Sequence, residues 1–330
     1  MYASLLAARG HEVTVYVKSS RPIRRTIANV LQIGKPTWVP GIAQVEVRRI
    51  PSFHEQYLAD ADVLVTTTCQ NTIETEHVSN RKGKKCYLLQ HDEGLYHGPR
   101  DVADHAYRSD TTKIVVATWL KDLLRERYQQ DSKLLINPID LKQFDQRERT
   151  ASLGEIRILV LNHEYEWKGT KEAVELVQRM KKLYPNVRLI MYGARSSSPQ
   201  YEGVDEYYFS VPQHELATIY SNCDIYLCAS WDEGFGLPSV EAMACGAMLV
   251  TYDNGGSRDF AIDGKTALVA PRMNREKLGE LLERAVTTTD ERKRIAAEGK
   301  NYVTKMPGWE TRVEELEEIF LSIIAHEQTA

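Results

Sequence analysis

The chain has 330 residues, 42% of them hydrophobic and 27% charged, with a net charge of −4. That length exceeds one ordinary small domain and that balance suits packed cores, so disordered and fibrous chains are excluded and two domains are expected. No apolar run reaches the roughly 18 residues of a membrane span, and the opening MYASLLAARGHEVTVYV has neither a basic leader nor a small-residue cleavage site.

Read from the start, YASLLAARG resembles the last turns of a helix with Gly10 as its stop. HEVTVYV follows as a strand, and QVEVRRI, ADVLVTT, KKCYLLQ and TKIVVAT read as further strands. Helical or loop segments separate them, the clearest helix being TWLKDLLRERYQQ. A domain of this kind should open with a strand and a glycine-rich turn, yet this chain begins inside the helix that comes next. Either the true start lies upstream or the domain lacks that strand, whose absence would expose hydrogen-bonding edges.

Residues 137–155, NPIDLKQFDQRERTASLGE, are polar and turn-rich and read as a connection between domains. A second series opens at IRILVLN and continues through the helix KEAVELVQRMKKL, the strand VRLIMYG, the helix ELATIYSN and the strand DIYLCAS. The helix PSVEAMACG, the strands AMLVTYD and TALVAP, and two closing helices complete it, the last one after the break Met306-Pro307-Gly308. Strands interleaved with helices predict an α/β fold with parallel sheets and crossover helices. The expected division is a first domain at 1–150, a second at 151–306 and a final helix at 307–330.

The five cysteines, Cys69, Cys86, Cys223, Cys228 and Cys245, have no metal-ligand or redox spacing and read as buried thiols of a reducing, cytoplasmic compartment. Residues 1–150 carry 22 Lys/Arg against 18 Asp/Glu, and residues 151–330 carry 20 against 28. A basic first half, including Arg21, Arg24 and Arg25, suits an anionic or lipid-linked acceptor or peripheral contact with the inner face of a membrane. Ordinary surface variation is the equal alternative. The basic residues form no stripe, which argues against nucleic acid.

The chemistry concentrates in Ser230-Trp231-Asp232-Glu233-Gly234-Phe235-Gly236-Leu237-Pro238-Ser239-Val240-Glu241, between a buried strand and a helix. Pro238 suits the first position of that helix, where its missing N–H costs nothing, and free N–H groups of Ser239 and Val240 would favour a diphosphate. Gly234 and Gly236 leave room for close approach of a ligand. Glu233 and Glu241 at the rim of one pocket could accept hydrogen bonds from sugar and ribose hydroxyls. The plain alternative is a strand-to-helix turn in which Glu241 is only a first-turn helix charge. Asn254-Gly255-Gly256-Ser257, after the next strand, suits an amide nest at the ligand side of an open sheet. His163 and Lys168, after the first strand of the same half, could meet the same diphosphate, or Lys168 could be solvated surface.

These residues resemble the retaining glycosyltransferase family 4. Its Glu, seven residues, Glu pattern inside Glu-Gly-Phe-Gly-Leu-Pro…Glu-Ala-Met-Ala-Cys-Gly is matched from Glu233 to Gly246. Further similar segments are Gly10-His11-Glu12-Val13, Asn137 to Phe144, Trp167-Lys168-Gly169, Asp263 to Val269, and Trp309 with the final helix. The resemblance implies the GT-B fold, two Rossmann-like parallel-sheet domains facing across a cleft, with the final helix crossing back to the first. It implies that Glu241 binds the donor ribose, Glu233 the transferred sugar and Lys168 the donor phosphates. Phe209 to Val211 and Leu216 would flank the base, and the backbone of Gly234, Phe235, Gly236 and Leu237 would help hold sugar and phosphate. His91, in Gln90-His91-Asp92-Glu93, is similar to a first-domain histidine near the reaction centre. The run QHDEGLYHG…AYR is more similar to rhamnosyltransferase-like members, which sets a dTDP-sugar beside UDP- and GDP-sugars as donor.

Three departures from the family pattern matter. Asn162-His163 stands where the family has Gly-Arg, so a permanent cation is replaced by an imidazole. Arg258, in Gly255-Gly256-Ser257-Arg258-Asp259, is the candidate replacement. Asn137-Pro138-Ile139-Asp140 stiffens the hinge. With Lys168, Arg258 and helix amides to meet the departing diphosphate, neither metal nor cofactor is required. The implied reaction is transfer with retention, without a covalent nucleophile, to a glycan, lipid-linked or small-molecule acceptor, as in polysaccharide biosynthesis. A catalytically impaired nucleotide-sugar-binding or complex-forming protein is the alternative, as are a phosphorylase or an epimerase on the same plan.

Overall fold

The computed structural model describes residues 1–19, 26, 29, 39, 41–96, 98–152, 154–194 and 201–325. Arg21, Arg24 and Arg25 lie outside the described residues. The chain divides into two compact units: Met1–Val116, Leu120–Ile136 and Trp309–Ala330 form one, Ala117–Trp119 and Asn137–Gly308 the other. Residues 137–150, read from sequence as part of the first domain, group with the second for a physical reason. Arg149 pairs with both oxygens of Asp224 at 2.8 and 3.0 Å, and Asn222 Oδ1 accepts the N–H groups of Thr150 and Ala151 at 2.8 Å.

In the first unit, β1 (Thr14–Lys18) pairs in parallel with β2 (Glu46–Ile50). A separate four-stranded parallel sheet carries β3 (Val63–Thr66), β4 (Lys84–Leu89), β5 (Thr112–Val115) and β6 (Ser132–Leu134) in chain order. Its helices include α1 (Tyr2–Ala8), α2 (Cys69–Glu74), α3 (Glu93–Tyr96), α4 (Arg100–Arg108) and α5 (Thr118–Tyr128). Gly10 follows α1 at φ +96°, a left-handed conformation that only glycine adopts cheaply. Leu6 of α1 packs with Cys86, Ile114 and Leu135 and with Val313 and Leu316 of the C-terminal helix, Trp309–Ala325.

The second unit is built on one six-stranded parallel sheet. Its strands are β7 (Ile156–Leu161), β8 (Val187–Gly193), β9 (Glu206–Phe209), β10 (Ile225–Cys228), β11 (Met248–Tyr252) and β12 (Ala267–Ala270). They lie in the order β12-β11-β10-β7-β8-β9. The helices are α6 (Thr170–Leu183), α7 (Gln213–Ser221), α8 (Leu237–Ala244), α9 (Arg275–Thr287) and α10 (Thr289–Val303). β10 and β11 are buried at every residue, which explains their unbroken apolar sequences: both faces of a parallel sheet are covered. α6 turns Ala173, Val174, Leu176, Val177 and Met180 inward, each large side chain contributing about 1.5–3 kcal/mol of burial. The chain builds outward from β7 to β9, then returns to β10 and builds the other way to β12. The reversal between β7 and β10 opens a crevice at the carboxyl ends of those strands, where open α/β sheets take their ligands. No described helix is long and apolar enough to cross a membrane.

One glycine fixes this edge. Gly169, between β7 and α6, has φ +65°, and a Cβ there would stand 2.1 Å from the carbonyl oxygen of Ala229. Gly169→Ala would combine left-handed strain with backbone overlap, so we expect a loss of about 2–4 kcal/mol. Urea unfolding checks this: an unchanged midpoint would mean that the β7 and β10 loops are not held so closely.

Candidate active site

Four loops at the carboxyl edge of the second sheet are stitched together. Trp231 N–H, after β10, donates to Trp167 O, after β7, at 2.8 Å. Glu233 N–H donates to Asn254 O, after β11, at 2.9 Å, and Glu233 bridges Gly255. Arg272, after β12, donates to both oxygens of Asp232 at 3.0 and 2.6 Å. Asn254 and Ser257 close their own turn, Ser257 N–H donating to Asn254 Oδ1 at 2.9 Å. Glu233 is thus held by backbone on both sides, and its carboxylate is the part left to chemistry.

That carboxylate meets Lys168. Nζ lies 2.8 Å from both Oε1 and Oε2, and the two side chains are 19% and 12% exposed, so the pair is shielded without being sealed. A small open pocket surrounds it, lined also by Ser230, Gly236, Ser239 and Tyr226. The helix start differs from the sequence expectation. Gly236 caps α8 in a left-handed conformation at φ +95° and turns its carbonyl to accept from Ser239 N–H at 3.0 Å and Val240 N–H at 3.4 Å. Those two amides are therefore engaged rather than free. Leu237, at the first helical position, has no acceptor within the helix, and Pro238 has no N–H to give.

Glu241 has different company. Its Oε2 accepts from the Tyr220 hydroxyl at 3.0 Å. Burial pushes its pKa up to about 7, while the Tyr220 hydrogen bond pulls the other way. The two carboxylates read from sequence as sharing one pocket rim thus have separate partners, and Glu233 alone lines the pocket around Lys168. Their spacing puts Glu233 in the loop and Glu241 in the second turn of α8, one pointing at the β7 loop and the other at α7.

The remaining sequence-predicted residues fall as follows. His163 Nδ1 accepts from Tyr165 N–H at 3.1 Å, an arrangement that leaves the ring hydrogen on Nε2, and its ring lies 4.7 Å from that of Tyr165. Arg258 is mostly exposed and donates to Asp253 at 2.7 and 3.0 Å. The cation expected to replace a missing arginine is thus already paired with a carboxylate five residues away. Phe209 ends β9 and is exposed, Val211 follows it in the turn before α7, and Leu216 is half-buried in α7. Phe235 is buried edge-on against Phe260, so its side chain is turned away from a ligand, whereas Leu237 is exposed. His91 belongs to the first unit, where Nδ1 meets Asp92 O at 3.1 Å. Its neighbours Asp92 and Glu93 are buried and bound by Arg100, Tyr107 and Tyr87, which fixes the turn that carries it. Sequence reading missed Tyr220, Asp232 and Arg272; each acts through a partner 21 to 40 residues away, with no local pattern to mark it. Among the described residues no group of three or more His, Cys, Asp or Glu is placed to hold a metal ion.

The fold has counterparts among known proteins. The structure is similar to sucrose-phosphate synthase from Thermosynechococcus elongatus, with a TM-score of 0.78 at 16% identity over 98% of this chain and 92% of that one. It is also similar to Anabaena HepE in complex with UDP and glucose, with a TM-score of 0.69 at 16% identity over 94% of this chain and 99% of that one. The fold class is accordingly GT-B, two α/β units each with parallel sheets. Residues 142–302 match the family model described as glycosyl transferases group 1. In sequence the chain is 22% identical to the uncharacterized glycosyltransferase YqgM of Bacillus subtilis over 222 residues, 62% of each chain. It is 34% identical to D-inositol 3-phosphate glycosyltransferase of Stackebrandtia nassauensis over 84 residues, 26% of this chain and 19% of that protein. These matches span less than two thirds of either relative's length.

Proposed function

We propose that the chain is a retaining glycosyltransferase that moves a sugar from a UDP-, GDP- or dTDP-linked donor to a glycan, lipid-linked or small-molecule acceptor. The observation that carries this reading is the Lys168–Glu233 pair, 2.8 Å apart at the switch point of the second sheet, in a pocket beside the start of α8. Lys168 meets the diphosphate and Glu233 orients hydroxyls of the transferred sugar. The amide of Leu237 and the dipole of α8 add positive potential where charge develops on the leaving group. The bond from the anomeric carbon to the diphosphate oxygen breaks, the acceptor oxygen bonds that carbon from the same face, and the acceptor proton leaves with the diphosphate. Lysine and amides supply the charge stabilisation that a metal would otherwise give. The Anabaena neighbour, a complex with UDP and glucose, supports a nucleotide-sugar donor.

A thermal-shift screen of UDP-, GDP-, ADP- and dTDP-sugars tests the reading. A ligand at a hundred times its Kd adds about 2.7 kcal/mol to the folded state, so the right donor should raise the transition clearly, and transfer of its sugar should follow. No shift from any of them would sink the proposal. A shift without transfer would mark an impaired binder.

The titration of Glu241 adds a second expectation. Burial pushes its pKa up to about 7, and the ionised form is the one that accepts from ribose hydroxyls at Oε1 while Oε2 stays with Tyr220. Below that pKa the carboxyl must lose its proton on binding. Nucleoside diphosphate affinity should therefore fall as pH drops through about 7, by at most tenfold per pH unit. Calorimetry in buffers of different ionisation heat would read the released proton, and Glu241→Gln should abolish the release.

A further inference from the structure

Three tyrosines of the second unit converge behind Glu241. Tyr192 lies in β8, Tyr220 in α7 and Tyr226 in β10, and they are 7%, 1% and 2% exposed. Their rings pack edge to face, with centroids 5.7 Å apart for Tyr192–Tyr220 and 6.1 Å for Tyr220–Tyr226. Three phenylalanines would fill the same space without bringing polar atoms into an apolar core. The hydroxyls instead form a chain: Tyr226 to Tyr192 at 3.5 Å, Tyr192 to Tyr220 at 2.9 Å, Tyr220 to Glu241 Oε2 at 3.0 Å.

The chain has a direction. Each phenol has one hydrogen to donate, and an ionised carboxylate can only accept. Tyr220 must then give its hydrogen to Glu241, so its oxygen accepts from Tyr192, whose oxygen accepts from Tyr226. Burial raises the pKa of all three phenols, which keeps them donors. Among the described residues, only Oε2 of Glu241 has a hydrogen-bond partner. One oxygen is clamped from within the core and the other is left for an incoming group.

We infer that Tyr220, backed by Tyr192, is a positioning residue: it locks Oε2 of Glu241 so that Oε1 is presented to the ribose hydroxyls of the nucleotide. This inference rests on the proposed role of Glu241 in donor binding. Tyr220 touches no substrate in this account; it acts through the carboxylate alone.

The experiment compares UDP, GDP and ADP with their 2′,3′-dideoxy counterparts by calorimetry, using the full chain. Tyr220→Phe should weaken the ribonucleotide that wild type binds by roughly five- to tenfold, and Tyr192→Phe by less. Neither should change affinity for the dideoxy form, and in a Glu241→Ala background Tyr220→Phe should add nothing. Equal losses for both nucleotide forms, additive losses with Glu241→Ala, or no loss where Glu241→Ala causes one would each overturn the inference while the donor-binding role stands. If Glu241→Ala leaves affinity intact, or wild type binds none of the three, the donor-binding reading itself fails. Should Tyr220→Phe not fold, Tyr192→Phe carries the same comparison, because it breaks the chain one link from the carboxylate.

Discussion

Replacing Lys168 with alanine is expected to lower kcat/KM by about 10²–10³-fold, the scale of losing one preorganised donor to a developing anion. The expected effect is large because two losses point the same way. Lys168 Nζ sits 2.8 Å from each oxygen of Glu233, so two of its three hydrogens neutralise that carboxylate and the third is available to a phosphoryl oxygen. Without the ammonium, the diphosphate loses its cation and faces an uncompensated carboxylate that is only 12% exposed. Repulsion of this kind is felt more strongly in a shielded pocket than in water. The double variant Lys168→Ala/Glu233→Ala should accordingly bind nucleoside diphosphate better than Lys168→Ala alone, although it has lost one more polar group. Glu233→Ala by itself should keep or improve nucleoside diphosphate affinity and lose sugar transfer. Calorimetry and initial rates separate these arms. Full turnover in Lys168→Ala would remove the phosphate role, and a double variant no better than the single would remove the electrostatic coupling.

Local sequence carries the strands and helices of the second unit because each is a continuous apolar run or a one-faced helix. β6 and β9 escaped reading. β6 is three residues long, and β9, EYYF, lies at the sheet edge with no buried residue, so neither has a hydrophobic period to follow. The loop between Ser230 and Glu241 was legible as chemistry, since carboxylates, glycines and a proline at a helix start are local signals. The choice of partners was not. Lys168 finds Glu233 across 65 residues because β7 and β10 are neighbours in the sheet, and that adjacency is set by the chain reversal rather than by either segment. Arg258 shows the opposite lapse: Asp253 stood in plain view five residues away, and the pair forms at the surface. The Ser239 and Val240 amides were expected free because they lie in the first turn of the helix; the left-handed Gly236 instead turns its carbonyl toward them.

Glu241 should show binding and stability moving in opposite directions when it is replaced. Glu241→Ala removes a carboxylate proposed to accept ribose hydroxyls, and charge-assisted hydrogen bonds contribute about 1.5–3 kcal/mol each. Donor affinity should fall by roughly 10–10²-fold for each hydroxyl released. In the free protein the same carboxylate is a burden on folding. Its folded pKa, pushed up to about 7 by burial, lies above its ordinary value of 4.5. A carboxyl with a raised pKa binds more protons folded than unfolded between those limits, so its contribution to stability is fullest below the lower value and declines as pH rises through the upper one. Glutamine keeps the shape and still accepts from Tyr220 but has no charge to desolvate. Relative to Glu241→Gln, wild type should therefore lose stability between about pH 5 and pH 8, on the order of 2–3 kcal/mol. Alanine is the poorer probe of this effect, because it leaves the buried Tyr220 hydroxyl without its acceptor. Paired urea titrations at the two pH values and donor binding at the higher one decide the matter. A stability difference that ignores pH would mean that the carboxyl is well solvated, and unchanged donor affinity in Glu241→Ala would leave it with no part in holding the nucleotide.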